Sequence, residues 1–527
     1  MPRFSLQPLD WALVVLYALF IIGKGLWWSR RHGGAEDFFL AGRNMTWPLI
    51  GASLYASNLS STTLVGLAGA AYGTGISVYN YEWIAAVVLV VFAALVVPIY
   101  LRSRVYTMPE FLERRYDRRS RNVFAVVTLV GNIVVDTAGT LYAGGLVLQV
   151  IFPGVPMWET IAAMALLAGL YTIAGGLVAV MYTDAVQAVL LTVGAVVVTV
   201  RAWAAVGGWA QVQAATPPAM LSLVRPLDDG FLPWLGLVTG VPLLGFYFWC
   251  TNQFMVQRVL SARSVRHARL GALFAGLLKL PVLWIMVLPG TMARALYPDL
   301  ANPDLVYPTL VHDLLPVGLL GLVVAGFLAA LMSQIDSTLN SASTLVTMDF
   351  VRVRRPDLDQ RALLRVGRVT TGVFMVLAAA WATRIEQFGS LFGYLQHVLS
   401  YIAPPVVAVF ALGLFWRRAG ADGAFAALMA GLGLGVGLFA VNQMAWGGAL
   451  HFLYAGTLLF LVSLAVHVGV SLRTPAPDAA RIGPLTWTRD DWRRESAELA
   501  GTPWYANHRV LSAALLAVTA VVVASWW

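Results

Sequence analysis

The sequence predicts an all-α integral membrane protein with about fourteen transmembrane helices, and three observations predict it. Hydrophobic residues make up 59% of the 527 positions and charged residues only 12%, where a soluble chain carries about 25% charged residues. Apolar stretches recur along the whole chain at the length a membrane demands, roughly 20 residues for a hydrocarbon core about 30 Å thick. Arginines fall in alternate loops, the pattern that marks cytoplasmic loops of a multi-pass protein.

The expected spans are 9–28, 45–71, 78–101, 121–152, 157–174, 178–203, 231–255, 267–296, 318–347, 366–385, 388–412, 417–441, 447–472 and 508–526. The first runs on into Arg30 and Arg31 with no small-residue cleavage site, so it reads as a retained helix and not a signal peptide. Placing the N-terminus outside puts Arg30, Arg31 and Arg43 in the cytoplasm, with the arginines between Arg102 and Arg121, Arg258 to Arg269, Arg352 to Arg368, Arg417 and Arg418, and Arg473 to Arg509. The opposite loops at 204–230 and 297–316 lean acidic, through Asp228, Asp229, Asp299, Asp304 and Asp313. Both termini are then extracytoplasmic in a cell membrane, and the longest loop, 473–507, is a polar cytoplasmic segment. The net charge of +9 is a topology signal that needs no nucleic-acid partner. Cys250, the single cysteine, excludes an internal disulfide and a cysteine metal cluster.

Two spans carry polar interruptions. The second reads Ala-Ser-Asn-Leu-Ser-Ser-Thr-Thr from Ala56 to Thr63, and the seventh reads Phe-Trp-Cys-Thr-Asn-Gln-Phe from Phe248 to Phe254. Unwound backbone at membrane depth is tolerated where it lines a cavity, and paired broken helices in two halves of a chain mark a transporter site. Small polar residues also let helices pack closely, but the matched offset of this pair favours a site. Charges inside spans are expensive and functional by default: Glu82, Asp136, Asp184, Lys279 and Asp336. Oxygen groups around a broken helix suit a hard monovalent cation. A carboxylate, an ammonium and amides together suit a neutral polyhydroxylated solute, whose hydroxyls both donate and accept. An anionic solute would call for arginine, and the sequence places none near either interruption. There is no P-loop, no metal-ligand spacing and no catalytic arrangement of Ser and His, so the chain reads as a carrier and not an enzyme.

Several runs together resemble the sodium:solute symporter family, in its sodium–glucose/galactose branch, from about Phe38 to Arg418. They are Asp37-Phe38-Phe39-Leu40-Ala41-Gly42-Arg43, Ala56-Ser57-Asn58, Tyr81-Glu82-Trp83, Tyr106-Thr107-Met108-Pro109-Glu110-Phe111, Gly175-Gly176-Leu177 with Thr183-Asp184, Asn252-Gln253 with Gln257-Arg258, Leu339-Asn340-Ser341 with Thr347-Met348-Asp349, and Gly413-Leu414-Phe415-Trp416. The resemblance implies a LeuT-type inverted-repeat (5+5) core, with an extra helix and loop at 1–44, repeats at 45–203 and 204–412, and added helices at 413–527. It implies sodium-coupled symport of a sugar-like solute, with an inositol, an amino acid or a carboxylate, and protons as driver, as alternatives. It implies substrate contacts at Glu82, Asn252, Lys279 and Gln396, with Asn58, Thr63 and Ala85 beside them. Inner-gate residues are implied at Phe254 and Phe392, with Leu67 as apolar neighbour. The main sodium site is implied at Ala56, Leu59, Ala330, Ser333 and Gln334, where Gln334 replaces a hydroxyl. A second cation site is implied at Ser57, Asp184, Asp336 and Ser337, for one or two sodium ions in all.

Overall fold

The computed structural model describes residues 6–29, 40–59, 61–152, 154–172, 177–388, 390–443 and 450–527, and they are helical with no strand. Arg30, Arg31, Asp37 to Phe39, Gly175, Gly176 and the start of the expected span at 447 lie outside the described residues.

Helix α1 (Pro8–Ser29) is stapled to the rest by one carboxylate. Asp10 is buried and accepts the backbone N–H groups of Gly318 and Gly321 at 2.7 and 2.8 Å. Those donors are the open N-terminus of the helix that follows them, where an anion is favoured.

The first interrupted span is two helices, α2 (Trp47–Asn58) and α3 (Ser61–Thr74). Pro48 opens α2, where its missing N–H has no cost. The chain leaves helical geometry at Leu59, with φ −76° and ψ 45°. Next come α4 (Ile76–Ser103), the short α5 (Met108–Arg115) capped by Thr107, and α6 (Arg118–Ile151) capped by Asp117. Helices α7 (Met157–Thr172) and α8 (Leu177–Val206) follow.

The second interruption falls between α9 (Trp234–Thr251) and α10 (Gln253–Leu260). Asn252 is extended there, with φ −67° and ψ 127°, and its side chain caps α10. Helix α11 (Val265–Lys279) bends by 42° at Pro281 into α12 (Leu283–Leu296), because proline supplies no donor to the turn before it. Then follow α13 (Val306–Leu314), α14 (Leu319–Arg354), α15 (Gln360–Ala382), α16 (Leu391–Phe415), α17 (Ala421–Gln443) and α18 (Phe452–Arg473).

Among the described residues, eight helices are long and apolar enough to cross a membrane, or nine with the bent α11–α12 pair. The other expected spans coincide with shorter, broken or more polar helices, so length and composition stop short of fourteen. Exposed valines at 186, 189, 193, 196 and 200 form an apolar stripe along α8, the face a lipid-contacting helix presents.

Segment 473–507 is more than a polar loop. Its helix α19 (Arg489–Leu499) is ion-paired through Asp491 to Arg102 at 2.8 Å and through Glu495 to Arg269, and Glu495 also meets Arg509 at 2.8 Å in the final helix α20 (His508–Ala524).

Two buried apolar clusters meet at the broken helices, one gathered around α2, α4, α10 and α11 and the other around α3, α8, α12 and α14. Helices α3 and α12 pack at glycine. A Cβ on Gly290 would lie 2.2 Å from the Ala68 carbonyl oxygen, so α12 and α3 are in backbone contact there. Met45 and Ala262 bridge the start of α2 to the end of α10, lacing the broken pair at one end.

Candidate functional site

A cavity of about 120 Å³ lies between the broken helices. Asn58 and Thr63 come from the first break, Glu82 and Ala85 from α4, Asp136 from α6, and Gln396 and Phe392 from α16. The Thr63 hydroxyl donates to the Asn58 carbonyl and so spans the break. Two buried polar atoms on this wall, Asn58 Oδ1 and the Tyr81 hydroxyl, have no partner among the described residues, an arrangement that calls for an explanation in a native structure.

Glu82 accepts a hydrogen bond from Lys279 at 2.6 Å. Lys279 is wholly buried, 5.6 Å from the Trp249 ring centre, and does not line the cavity. It holds Glu82 in place from behind. Asn252 is also off the lining, its side-chain oxygen engaged by the Phe254 N–H at 3.3 Å. The structure thus brings Asn58, Thr63, Glu82, Ala85 and Gln396 together and keeps Asn252 and Lys279 behind them.

The two gate aromatics separate. Phe254 follows the break, toward the end where α10 runs out at Leu260. Phe392 sits in the first turn of α16, beside Phe231 ahead of the start of α9, at the opposite end. It packs edge-on against Tyr81 with centroids 5.1 Å apart and lies 6.4 Å from Phe231. Phe254 and Phe392, the two aromatics of the expected inner gate, therefore stand at opposite ends of the broken span. Leu67 is fully buried on α3 and lines neither this cavity nor the next.

A second cavity, about 10 Å³, adjoins the first. That is close to one water-sized volume. Ala56, Ala330, Ser333 and Gln334 of the expected main sodium set line it, and so do Ser57, Asp184 and Ser337 of the expected second set. Members of the two sets thus line one cavity. Leu59 and Asp336 are buried nearby but off the lining. Asp184 organises the cavity: it accepts hydrogen bonds from Ser53 at 2.7 Å, Ser57 at 3.3 Å and Ser333 at 2.8 Å. Ser57 and Gln334 line both cavities.

One residue here was assigned by sequence to a cytoplasmic loop. Arg258 is buried, and its guanidinium donates to Asp184 at 3.1 Å and to Ser53 at 2.9 Å. The expectation that no arginine approaches a broken helix is wrong, and helical spacing was the missed signal. Arg258 stands four residues after Phe254, one turn further along the same helix face.

Two helices broken beside a pair of polar cavities define a secondary carrier. The fold agrees: a Na+-coupled sialic acid symporter in a substrate-bound outward-open state superposes with a TM-score of 0.76 at 22% identity, over 90% of this chain and 99% of that one. A closed form of Mhp1, a nucleobase-cation-symport-1 family transporter, matches at 0.56 and 12% identity, over 86% of this chain and 99% of that one. These likenesses establish the LeuT-type fold. Residues 38–431 match the model of the sodium:solute symporter family. The sodium/mannose cotransporter SLC5A10 of Bos taurus is 38% identical over 92% of this chain and 90% of its own length. The sodium/myo-inositol cotransporter 2 of Oryctolagus cuniculus is 37% identical over 95% of this chain and 82% of its own. The chain belongs to the sodium:solute symporter family; it is a sodium-coupled transporter, not an enzyme.

Proposed function

We propose that this transporter couples sodium entry to uptake of a neutral polyhydroxylated solute, a sugar or an inositol, by alternating access. The observation that carries the solute class is the cavity wall. It combines a carboxylate acceptor (Glu82), amides (Asn58 and Gln396) and hydroxyls (Thr63 and Tyr81), with two of its buried polar atoms unpartnered. Hydroxyl groups of a sugar satisfy donors and acceptors alike. Among the described residues no basic side chain lines the cavity, which disfavours a carboxylate solute. The mannose, glucose and myo-inositol relatives support the same class.

Sodium is the second substrate, and the smaller cavity suits it. The Ser333 hydroxyl, the Gln334 amide oxygen and the backbone at Ala56 and Ala330 are hard oxygen ligands. Occupation there bridges α2 to α14 and steadies the first break, whose Asn58 and Ser57 also face the solute. In this reading 45–203 and 204–412 are the inverted repeats, both termini are extracytoplasmic, Phe392 closes the outer path and Phe254 the inner one. A membrane potential supplies about 2.3 kcal/mol per charge per 100 mV.

Purified protein in liposomes tests this. A panel of labelled hexoses and inositols is offered with an inward sodium gradient, with potassium in its place, and with a proton gradient alone. Accumulation of one of them under sodium is expected. No sodium-dependent accumulation across the panel would sink the proposal.

A further inference from the structure

The solute cavity carries a second carboxylate on its wall. Asp136 comes from α6, where the backbone widens to a π-helical stretch over Gly131–Thr137. Such stretches re-aim side chains and recur at functional sites. This one is pinned from two sides. Asn132 donates to the Thr338 carbonyl at 3.3 Å, and the Thr137 and Thr338 hydroxyls meet at 2.9 Å, both contacts being with α14. The Tyr394 hydroxyl of α16 donates to the Val134 carbonyl at 2.6 Å. The neighbours of Asp136 are thus committed to other helices, and Asp136 itself is half-buried and faces the cavity.

The two carboxylates of the wall are matched differently. Glu82 is paired with Lys279 from behind. Among the described residues no side chain donates to the Asp136 carboxylate or forms an ion pair with it. The nearby Tyr394 hydroxyl is spent, since it donates to Val134 and accepts the Trp381 indole N–H at 2.6 Å. A carboxylate left without a partner at membrane depth is costly. The groups that can satisfy this one are those that enter the cavity.

We infer that Asp136 is a second solute-binding carboxylate, accepting a hydrogen bond from a solute hydroxyl other than the one that Glu82 accepts. This rests on the polyhydroxylated-solute reading above and deepens it, because it names a residue that sets which solutes fit. A hydroxyl has one proton to donate, so two ionised carboxylates require two hydroxyls. The amides of Asn58 and Gln396 can donate or accept and so fit a hydroxyl either way, whereas the carboxylates only accept. Glu82 on α4 and Asp136 on α6 therefore dictate, from different helices, which hydroxyls must donate. An analogue lacking either hydroxyl leaves a buried acceptor unpaired, and that penalty is what rejects it. Asn132 and Thr137 are positioning residues that hold Asp136 toward the cavity.

The test is equilibrium binding to the purified full chain in detergent with saturating sodium. The probes are the labelled hexose or inositol that the wild type accumulates and its mono-deoxyfluoro analogues, in which each hydroxyl in turn loses its proton to donate. Asp136→Ala should weaken binding of the parent roughly 10- to 150-fold, and Asp136→Asn, which keeps an acceptor oxygen, should lose less. One analogue should lose by a similar factor on the wild type yet lose little further on Asp136→Ala. Fluorination losses that multiply with the Asp136→Ala loss at every position would overturn the inference. A wild type with only one position where fluorination costs about tenfold or more would overturn it too, even if the Asp136 variants fail to fold. A wild type that binds no hexose or inositol would instead remove the solute reading, and this inference with it.

Discussion

Separating Glu82 from Lys279 is the most direct test of how the solute wall is held. Their charged atoms are 2.6 Å apart, with Lys279 wholly enclosed and the Glu82 side chain 7% exposed. Removing one member of such a pair strands the other and costs about 3–5 kcal/mol. Lys279→Met and Glu82→Gln should each lose stability on that scale. The double variant is electrically neutral and should lose less than the sum, by up to about 3 kcal/mol. Thermal and denaturant unfolding in detergent give the four corners of the cycle. Binding separates the partners further. Glu82 faces the cavity, and a hydrogen bond to a charged group contributes about 1.5–3 kcal/mol. Glu82→Gln should therefore weaken solute affinity roughly 10- to 150-fold. Lys279 lies behind, so Lys279→Met acts only through the position of Glu82. Strictly additive stability losses, or solute affinity untouched by Glu82→Gln, would refute this arrangement.

Three further perturbations follow from the geometry. Gly290→Ala places a methyl 2.2 Å from the Ala68 carbonyl oxygen, and should destabilise the α3–α12 contact by about 1–3 kcal/mol, read as a lowered unfolding midpoint. Ser333→Ala removes one hydroxyl from the sodium cavity and should raise the half-saturating sodium concentration roughly tenfold, whereas Gln334→Ala, on both linings, should raise the sodium and solute constants together in uptake assays. Asp304, in the loop between α12 and α13, accepts the Leu391 N–H at 2.9 Å, and burial pushes its carboxyl up to about 7 from 3.8. The folded chain then holds a proton that the unfolded chain has lost, so stability should fall as pH rises from about 4 to about 7; Asp304→Asn should flatten that slope, and an unchanged slope would refute the assignment.

The membrane class, the broken helices and the buried charges were legible because each departs from what lipid permits. An apolar span interrupted by Ser, Asn and Thr has few explanations, and Leu59 and Asn252 are where the helices part. Depth along a helix was less legible. Arg258 lies in a run of arginines that marks a cytoplasmic loop, and that run masks the four-residue spacing from Phe254 by which α10 turns this one inward. Lys279 and Glu82 are both recognisable as buried charges, but which of them meets the cavity depends on how α11 packs against α4.

The two cavities share Ser57 and Gln334, and coupling needs some such sharing. A symporter must make the occupied states of both sites easier to reach together than apart, which is a coupling free energy and works in both directions. Ser57 lies on α2 one residue before Asn58, and its hydroxyl donates to Asp184. Gln334 lies beside Ser333, which donates to the other oxygen of the same carboxylate. Any ion that reorients these hydroxyls therefore acts on α2 and α14 at once, at the break that carries the solute wall. The reverse holds for a solute that draws on Asn58. Substitution of Ser57 by Ala should consequently shrink the factor by which each ligand raises the other's affinity, measured by binding each with the other present and absent. A coupling factor unchanged from the wild type would mean that the coupling runs through another part of the bundle.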